Sequence, residues 1–519
     1  METLTSNKRI AKNTIMLYLR MMVGMIVSLY MSRIVLKTLG VSDYGIYGVV
    51  GGVVTMFSFF NGTMASATAR FLSFEIGTGN MRKLKDTFSA ALTLHVSIAL
   101  LLVFLSEIIG LWFLENRLVI PEERMIAAHW VFQFSVFSMV FQIIQVPFNS
   151  TLISHERIGV YAFVEIFNSV IKLAVVYILL VVYMDKLILY SILMFLTAVL
   201  ISGIYICYGI KNFRECSLKL KICPDIIKPI LSMTGWQFYG NMSYIAVTQG
   251  INILLNMWYG TIINAAYDIA SRVRGMVMGF STNMNTAMRP QIVKSYSVKE
   301  FDRTMSLMCN GNRLTFILML LLCAPLIIKA HYILDLWLGE VPMYSVTIIQ
   351  LCLIWNLQMS MAISFGDVQQ ATADVKITSL ISGTSNLLVV LITYIGFNYG
   401  APYWFPFVLN ILFMIPSPLY TCHNFKKFMP IFSWKKHVFR DYLRSYVIML
   451  MVLVFGQVVS SRIDSPFLSL LTVIVCTTSL TCILGFYFLF PSPIRNKIIA
   501  IGKYRMKNVR IPVITKPSK

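Results

Sequence analysis

Apolar runs of about 20 residues follow one another along nearly the whole chain, separated by short polar segments rich in Lys and Arg. A run of roughly 20 apolar residues is long enough to cross a bilayer as a helix. In hydrocarbon the backbone must satisfy its own hydrogen bonds, so only helices or a closed barrel can span. These runs are too long and too evenly apolar for barrel strands. The pattern predicts an all-α polytopic membrane protein with about fourteen spans. They fall near 12–36, 43–69, 87–114, 126–153, 158–183, 187–210, 229–258, 262–289, 305–329, 341–364, 374–397, 402–422, 441–461 and 466–490. The eighth is the least apolar, and a hydropathy window is expected to miss it.

The pattern also repeats. Gly40, Tyr44-Gly45-Ile46-Tyr47, Asn61 and Arg70 follow the first span; Gly260, Tyr267-Asp268-Ile269-Ala270, Asn283 and Arg289 follow the seventh. Further on, Glu156-Arg157 and Asn168 correspond to Asp374, Lys376 and Asn386. The offset is about 220 residues, or six spans. Six is even, so the two halves enter the membrane in the same direction. Parallel repeats of this kind place a transporter's substrate site between the halves. The expected organisation is a six-helix bundle over 1–225, a second over 226–425, and two extra helices with a basic tail over 426–519.

Composition agrees with this picture. The chain is 57% hydrophobic and 13% charged, with mean hydropathy +0.73. A soluble domain carries about 25% charged residues. The net charge of +22 would suggest nucleic acid on a soluble protein. Here the basic residues sit between spans, where topology and anionic lipid account for them, and no nucleic-acid partner is expected. With the N-terminus inside, 33 of the 44 lysines and arginines fall on the inner side and 6 on the outer. That excess places both termini in the cytoplasm. The first run carries Arg20 and lacks a small-residue cleavage site, so it reads as a membrane helix and not a cleaved signal. The nine cysteines form no CxxC pair, and no disulfide, metal or cofactor is expected.

Ionisable groups at bilayer depth cost at least about 2.5–3.5 kcal/mol each, so they usually face a cavity or a partner. The spans contain Arg20, Arg33, His95, Glu107, Glu165, Lys172, Asp268, Arg272 and Arg274. Asp268 and Arg272 share a helix face and could neutralise each other. Arg274 points elsewhere and needs another partner. Glu165 and Lys172 share a face but stand too far apart to bridge within the helix. The seventh and eighth spans are also rich in amides, among them Gln237, Asn241, Gln249 and Asn252. These amides serve either as helix-packing contacts or as partners for sugar hydroxyls, and the sequence leaves both open. Arginine's planar fork matches phosphate geometry. Arg20, Arg33, Arg272 and Arg274 are therefore the candidate substrate-binding cations of an anionic cargo, and Asp268 and Glu165 the candidates for ion coupling.

The stretch from Ser32-Arg33 through Leu39-Gly40 to Tyr44-Gly45-Ile46-Tyr47 resembles the junction of the first two helices in bacterial polysaccharide repeat-unit (Wzx-type) flippases. These belong to the multidrug/oligosaccharidyl-lipid/polysaccharide (MOP) exporter superfamily. The resemblance implies two six-helix bundles forming a V-shaped cavity that opens to one side at a time. It implies a cargo of undecaprenyl-pyrophosphate-linked oligosaccharide for O-antigen, capsule or lipopolysaccharide synthesis in the inner membrane. A polysaccharide polymerase and a chain-length regulator are the protein partners it suggests. Arg33 matches the family's first-helix arginine, and Arg272 or Arg274 its second-bundle cation. The rival readings are a lipid II flippase, a cation-coupled drug exporter of the same superfamily, and a membrane enzyme of polysaccharide assembly. The last would need a catalytic loop outside the bilayer, and the largest outer loop offers only Glu115, Glu122 and Glu123. No P-loop is present, so transport and not ATP-driven or enzymatic chemistry is expected.

Overall fold

A computed structural model describes residues 2–57, 59–116, 118, 120–339, 341–490 and 495–496. For residues 2–9, 29, 32, 33, 36, 41, 42, 49, 51–57, 59, 60 and 261 it describes the backbone alone. Among the described residues the regular elements are all helical. Among the described residues nine helices are long and apolar enough to cross a membrane. Two bent pairs, Ser345–Ser360 with Ile363–Thr372 and Phe405–Met414 with Ser417–Phe428, raise this to eleven if each is one span. They bend by 43° and 42°. The second bend falls at Pro416, which removes a helical hydrogen bond and crowds the preceding turn.

The three remaining spans are the second, seventh and eighth. Sequence reasoning expected the eighth to escape a hydropathy window; the seventh does so as well, while the second includes residues 49 and 51–60, whose side chains lie outside the described residues. The seventh is the helix Pro224–Tyr259 and the eighth is Thr261–Ser297. The second begins after a kink at Gly40 in the helix Glu2–Phe57 and continues as Phe59–Thr78. At 1.5 Å per residue the seventh and eighth are each roughly 54 Å long, ample for a membrane. They are polar because one face of each lines internal cavities, through residues such as Gln237, Gln249, Asn252, Ser271 and Asn283.

The internal repeat is written in the backbone. Gly40 has φ 81°, ψ 166°, and Gly260 has φ 78°, ψ −170°. This region is essentially open to glycine alone. Both residues join an odd-numbered span to the next, and they stand 220 residues apart. Gly79 (φ 72°) and Lys299 (φ 61°), at the ends of the second and eighth spans, are also 220 apart. Glu156 (φ 60°) and Ala373 (φ 61°) end the fourth and tenth spans, 217 apart. Left-handed residues at helix C-termini satisfy otherwise orphaned carbonyls. The same stops thus recur in the same order in both halves.

Buried apolar clusters form within each half. Leu72, Phe88, Phe148 and Tyr205 pack together in the first, and Phe316, Leu320, Cys352 and Leu353 in the second. The last two helices, Arg440–Ser460 and Pro466–Leu484, add Ile448, Met449, Val452 and Leu484 to the second cluster. An ion pair of 2.6 Å between Arg313 of the ninth span and Asp441 fixes their start. At the opposite end of the first half, Arg124 bridges Asp43 and Asp185 at 2.5 Å each.

Gly260→Ala should destabilise the protein by about 1–3 kcal/mol, because alanine must then occupy a glycine-only conformation. Gly203→Ala is the control: it sits inside the helix Lys186–Asn212, and its added methyl would meet nothing within 4 Å. Melting in detergent should fall for the first and stay level or rise for the second.

Candidate substrate cleft

The halves are joined at the end of the molecule that holds the beginning of the first span, here called the near end. Asn13 donates to the Glu156 carbonyl at 3.4 Å, so the start of span one and the end of span four share that end. Across the halves, Glu156 accepts from Lys294 Nζ at 2.7 Å and Gln291 Nε2 at 2.6 Å. Arg70 of the second span returns the contact. It donates to the carbonyls of Ala371 (2.7 Å) and Gln370 (3.2 Å) at the end of span ten. A cation or its neighbour on span two or eight therefore grips the terminal turn of span ten or four in the other half. Ser66 adds a bond to Gln370 Oε1 at 3.0 Å. Spans two and eight approach so closely that a Cβ on Gly77 would collide with Ser297 Oγ and lie 3.1 Å from the Lys294 backbone. Nearer the middle, Tyr18 donates to the Phe280 carbonyl at 3.1 Å, and Leu17 packs with Ile158 and Ala287.

Beyond this seal lies a chain of cavities that share walls. A cavity of about 550 Å³ lies between the halves, lined by Arg20, Gln249, Asn252, Asp268, Arg274 and Asn283 among others. A second of about 550 Å³ shares Arg20 and Gly279 with it and reaches Ser28, Glu165 and Ser169. From Glu165 the space continues into the first half, about 470 Å³, past Gln142, Asn168 and Lys172. From Tyr244 and Met278 it continues into the second half, about 690 Å³. Each compartment falls within the size range of ligand sites.

The arginines in this cleft are held in an unusual way. Arg20 donates from Nη1 to the Tyr161 hydroxyl at 2.7 Å, with its guanidinium 5.1 Å over that ring. Arg274 lies 4.1 Å over Trp355 and 5.5 Å over Tyr244, and donates to the Tyr244 hydroxyl. An aromatic face attracts a cation without neutralising it. Among the described residues neither arginine makes an ion pair. The cations of the seal and periphery differ: Arg289, Lys294, Arg124 and Arg313 all pair with carboxylates. The cleft thus presents two positioned, unneutralised guanidinium groups to its interior.

Three solved structures share this architecture. A MATE in a straight conformation aligns with TM-score 0.71 at 13% identity, covering 82% of this chain and 97% of that one. An outward-facing multidrug resistance MATE family transporter of the MOP superfamily aligns at 0.69 and 14%, covering 80% and 96%. A MOP superfamily transporter from Pyrococcus furiosus, for which a reversed polarity of the binding pocket suggests a different function, aligns at 0.66 and 14%, covering 80% and 96%. The chain has the MATE transporter fold. No family model and no curated protein sequence matches it.

Within this MATE fold, the predicted site residues divide. Arg20, Arg274 and Asp268 meet in the cavity between the halves, and Glu165 lies one compartment away with its carboxylate bonded to the Tyr205 hydroxyl at 2.9 Å. Arg272 is exposed and lines none of the five cavities, because two residues along a helix turn it away from Arg274. The Asp268–Arg272 pair considered from their spacing does not form among the described residues. The side chain of Arg33 lies outside the described residues. Lys172 lines the first-half compartment and a further cavity beside Ser28 and Tyr190, and, among the described residues, has no carboxylate partner. His95 is fully buried and bonds the Ala91 carbonyl at 2.7 Å, and Glu107 accepts from Gln133 at 3.1 Å. Sequence reasoning missed the aromatic mounts Tyr161, Tyr244 and Trp355, and the buried Arg289–Asp367 pair. Aromatic residues are common in apolar spans, so nothing marked these three in advance.

In this MATE-fold chain, removing one partner of a buried ion pair costs on the order of 3–5 kcal/mol. Lys294→Met and Gly77→Val should both shift the protein away from this near-end-closed state. Spin labels at positions 83 and 426, on the near end of the two halves, should report a longer mean distance in both variants than in wild type. An unchanged distance distribution would mean that these contacts do not hold the halves together.

Proposed function

We propose that the protein is a flippase that carries an undecaprenyl-pyrophosphate-linked oligosaccharide across the bacterial inner membrane by alternating access. The observation that carries this reading is the pair of arginines, Arg20 and Arg274, mounted on aromatic rings in a cavity between two halves with, among the described residues, no carboxylate bound to either. In a medium of low dielectric, an uncompensated cation attracts an anion strongly. Guanidinium forks suit the oxygens of a pyrophosphate. Sugar hydroxyls cannot cross hydrocarbon unpaired, and amide- and hydroxyl-lined cavities give them partners while the prenyl tail stays in lipid. The basic excess on the near end makes that end cytoplasmic, with both termini there. The state described is then closed to the cytoplasm, and breaking the Glu156 and Arg70 contacts opens it. The halves over 1–225 and 226–425 are the moving bodies, and the two helices within 426–519 travel with the second. A polysaccharide polymerase and a chain-length regulator are the partners that would take up the product.

A cation-coupled drug exporter is the second reading, favoured by Asp268, a carboxylate in the same cavity that among the described residues has no ion-pair partner. A cationic drug would have to sit beside both arginines, which disfavours it. In the flippase reading Asp268 and Glu165 are the candidates for coupling to proton or sodium, one charge through 100 mV supplying about 2.3 kcal/mol.

The test is complementation of a strain lacking its own repeat-unit flippase, with surface polymer and the lipid-linked intermediate as readouts. Wild type should restore polymer. Arg20→Ala and Arg274→Ala should reduce it at least roughly tenfold at normal protein levels, the loss of one charged contact being worth about 1.5–3 kcal/mol. Arg272→Ala should leave it near wild type, since that residue lines none of the cavities. Failure of wild type with every repeat unit tried, including its native one, alongside efflux of cationic dyes, would establish the exporter instead.

A further inference from the structure

The compartment inside the second half differs in chemistry from the rest of the cleft. At about 690 Å³ it is larger than the three compartments described above. Its walls carry Gln237, Asn241, Thr378, Ser382, Asn386 and Asn410, with Trp355 and Tyr420 as aromatic faces. Among the described residues no carboxylate lines it, and the one charged residue, Arg289, is already tied to Asp367 at 2.8 Å and to Ser66 at 3.2 Å. The compartment inside the first half is smaller and contains both Glu165 and Lys172. The two halves therefore offer different surfaces, one ionic and one neutral but dense in hydrogen-bonding groups.

Amides between membrane helices often serve only to join them. Here part of the set is left over. Gln237 Nε2 and Thr378 Oγ1 are buried and, among the described residues, have no partner. Buried polar groups are nearly always satisfied, so these two gain a partner when the wall shifts to admit one. Position adds a second argument. Tyr244 and Met278 belong both to this compartment and to the arginine cavity, and Trp355, on which Arg274 lies, is part of its wall. An anionic group held at Arg274 has its next covalently bonded group at the mouth of this compartment.

We propose that the second-half cavity is the saccharide subsite, in which amides, hydroxyls and aromatic faces receive the uncharged sugar attached to a pyrophosphate held between the halves. This rests on the lipid-linked cargo proposed above, and it adds an orientation: headgroup at Arg20 and Arg274, sugar in the second half. A neutral wall of many short donors and acceptors binds hydroxyls in several arrangements. It therefore selects for a saccharide over a bare headgroup more strongly than it selects among sugars.

The test uses the full-length protein in nanodiscs, with native mass spectrometry to measure binding. The probes are undecaprenyl pyrophosphate and its conjugates with N-acetylglucosamine, N-acetylgalactosamine and galactose. Wild type should bind at least one conjugate about tenfold more tightly than the bare lipid, the equivalent of one or two net hydrogen bonds. Gln237→Leu and Asn386→Leu should erase that gain and leave the bare lipid within about twofold of wild type, while Arg20→Ala weakens both. Ser382→Val, a smaller change on the same wall, gives the same comparison if either leucine variant fails to fold. If wild type binds bare lipid and all conjugates equally, the saccharide subsite is wrong and the anionic-lipid reading stands. Equal weakening of both ligands by the wall variants, at unchanged melting temperature, also overturns the subsite. Wild type that binds neither the bare lipid nor any conjugate overturns both.

Discussion

A charge or an unpaired polar group inside hydrocarbon is expensive, and most of this structure follows from where those groups find shelter. The apolar spans make a lipid-facing shell, with Leu100, Phe104, Leu450 and Val454 exposed on it. The polar groups collect between helices and between halves, where they meet protein or a cavity and not lipid. Spans seven and eight fail a hydropathy criterion for this reason: each turns a polar face inward. Their polarity is as much a feature of the fold as the apolarity of the other spans.

The sheltered charges do two kinds of work. One set is neutralised. Lys294 with Glu156 and Arg289 with Asp367 pair a half-buried cation with a buried carboxylate, and Arg70 is spent on two carbonyls. Such pairs add little net stability over apolar packing, yet they are costly to break singly. Their value here is geometric, since they specify one way for the halves to meet at the near end. The other set, Arg20 and Arg274, keeps its charge available by resting on π faces. Carboxylate partners at these two positions would have made structural pairs of them as well.

Duplication explains why the seal is reciprocal. The left-handed stops at Gly40 and Gly260, Gly79 and Lys299, and Glu156 and Ala373 set equivalent helix lengths in both halves. The second and eighth spans then end beside the terminal turns of the tenth and fourth. The side chains that fill these equivalent places have diverged. Arg70 reaches carbonyls in one direction, whereas Lys294 reaches a carboxylate in the other. The same divergence separates an ionic compartment in the first half from a neutral one in the second. A symmetric scaffold thus holds an asymmetric cavity, ionic in one half and neutral in the other.

Much of this was legible in the sequence. Spacing of apolar runs indicated the helical class and the number of spans, and the 220-residue offset indicated the duplication, because helix length and glycine stops are local properties. The same local reasoning placed Arg20, Arg274, Asp268 and Glu165 inside the membrane and turned Arg272 away from Arg274. It could not say what each charge meets. That depends on helices hundreds of residues apart: Arg20 on Tyr161, Arg274 on Trp355, Lys294 on Glu156. Helical periodicity fixes the direction of a side chain about its own axis, but not the neighbour that the axis is packed against. Which arginines are neutralised and which stay open to a ligand was therefore decided by tertiary structure alone.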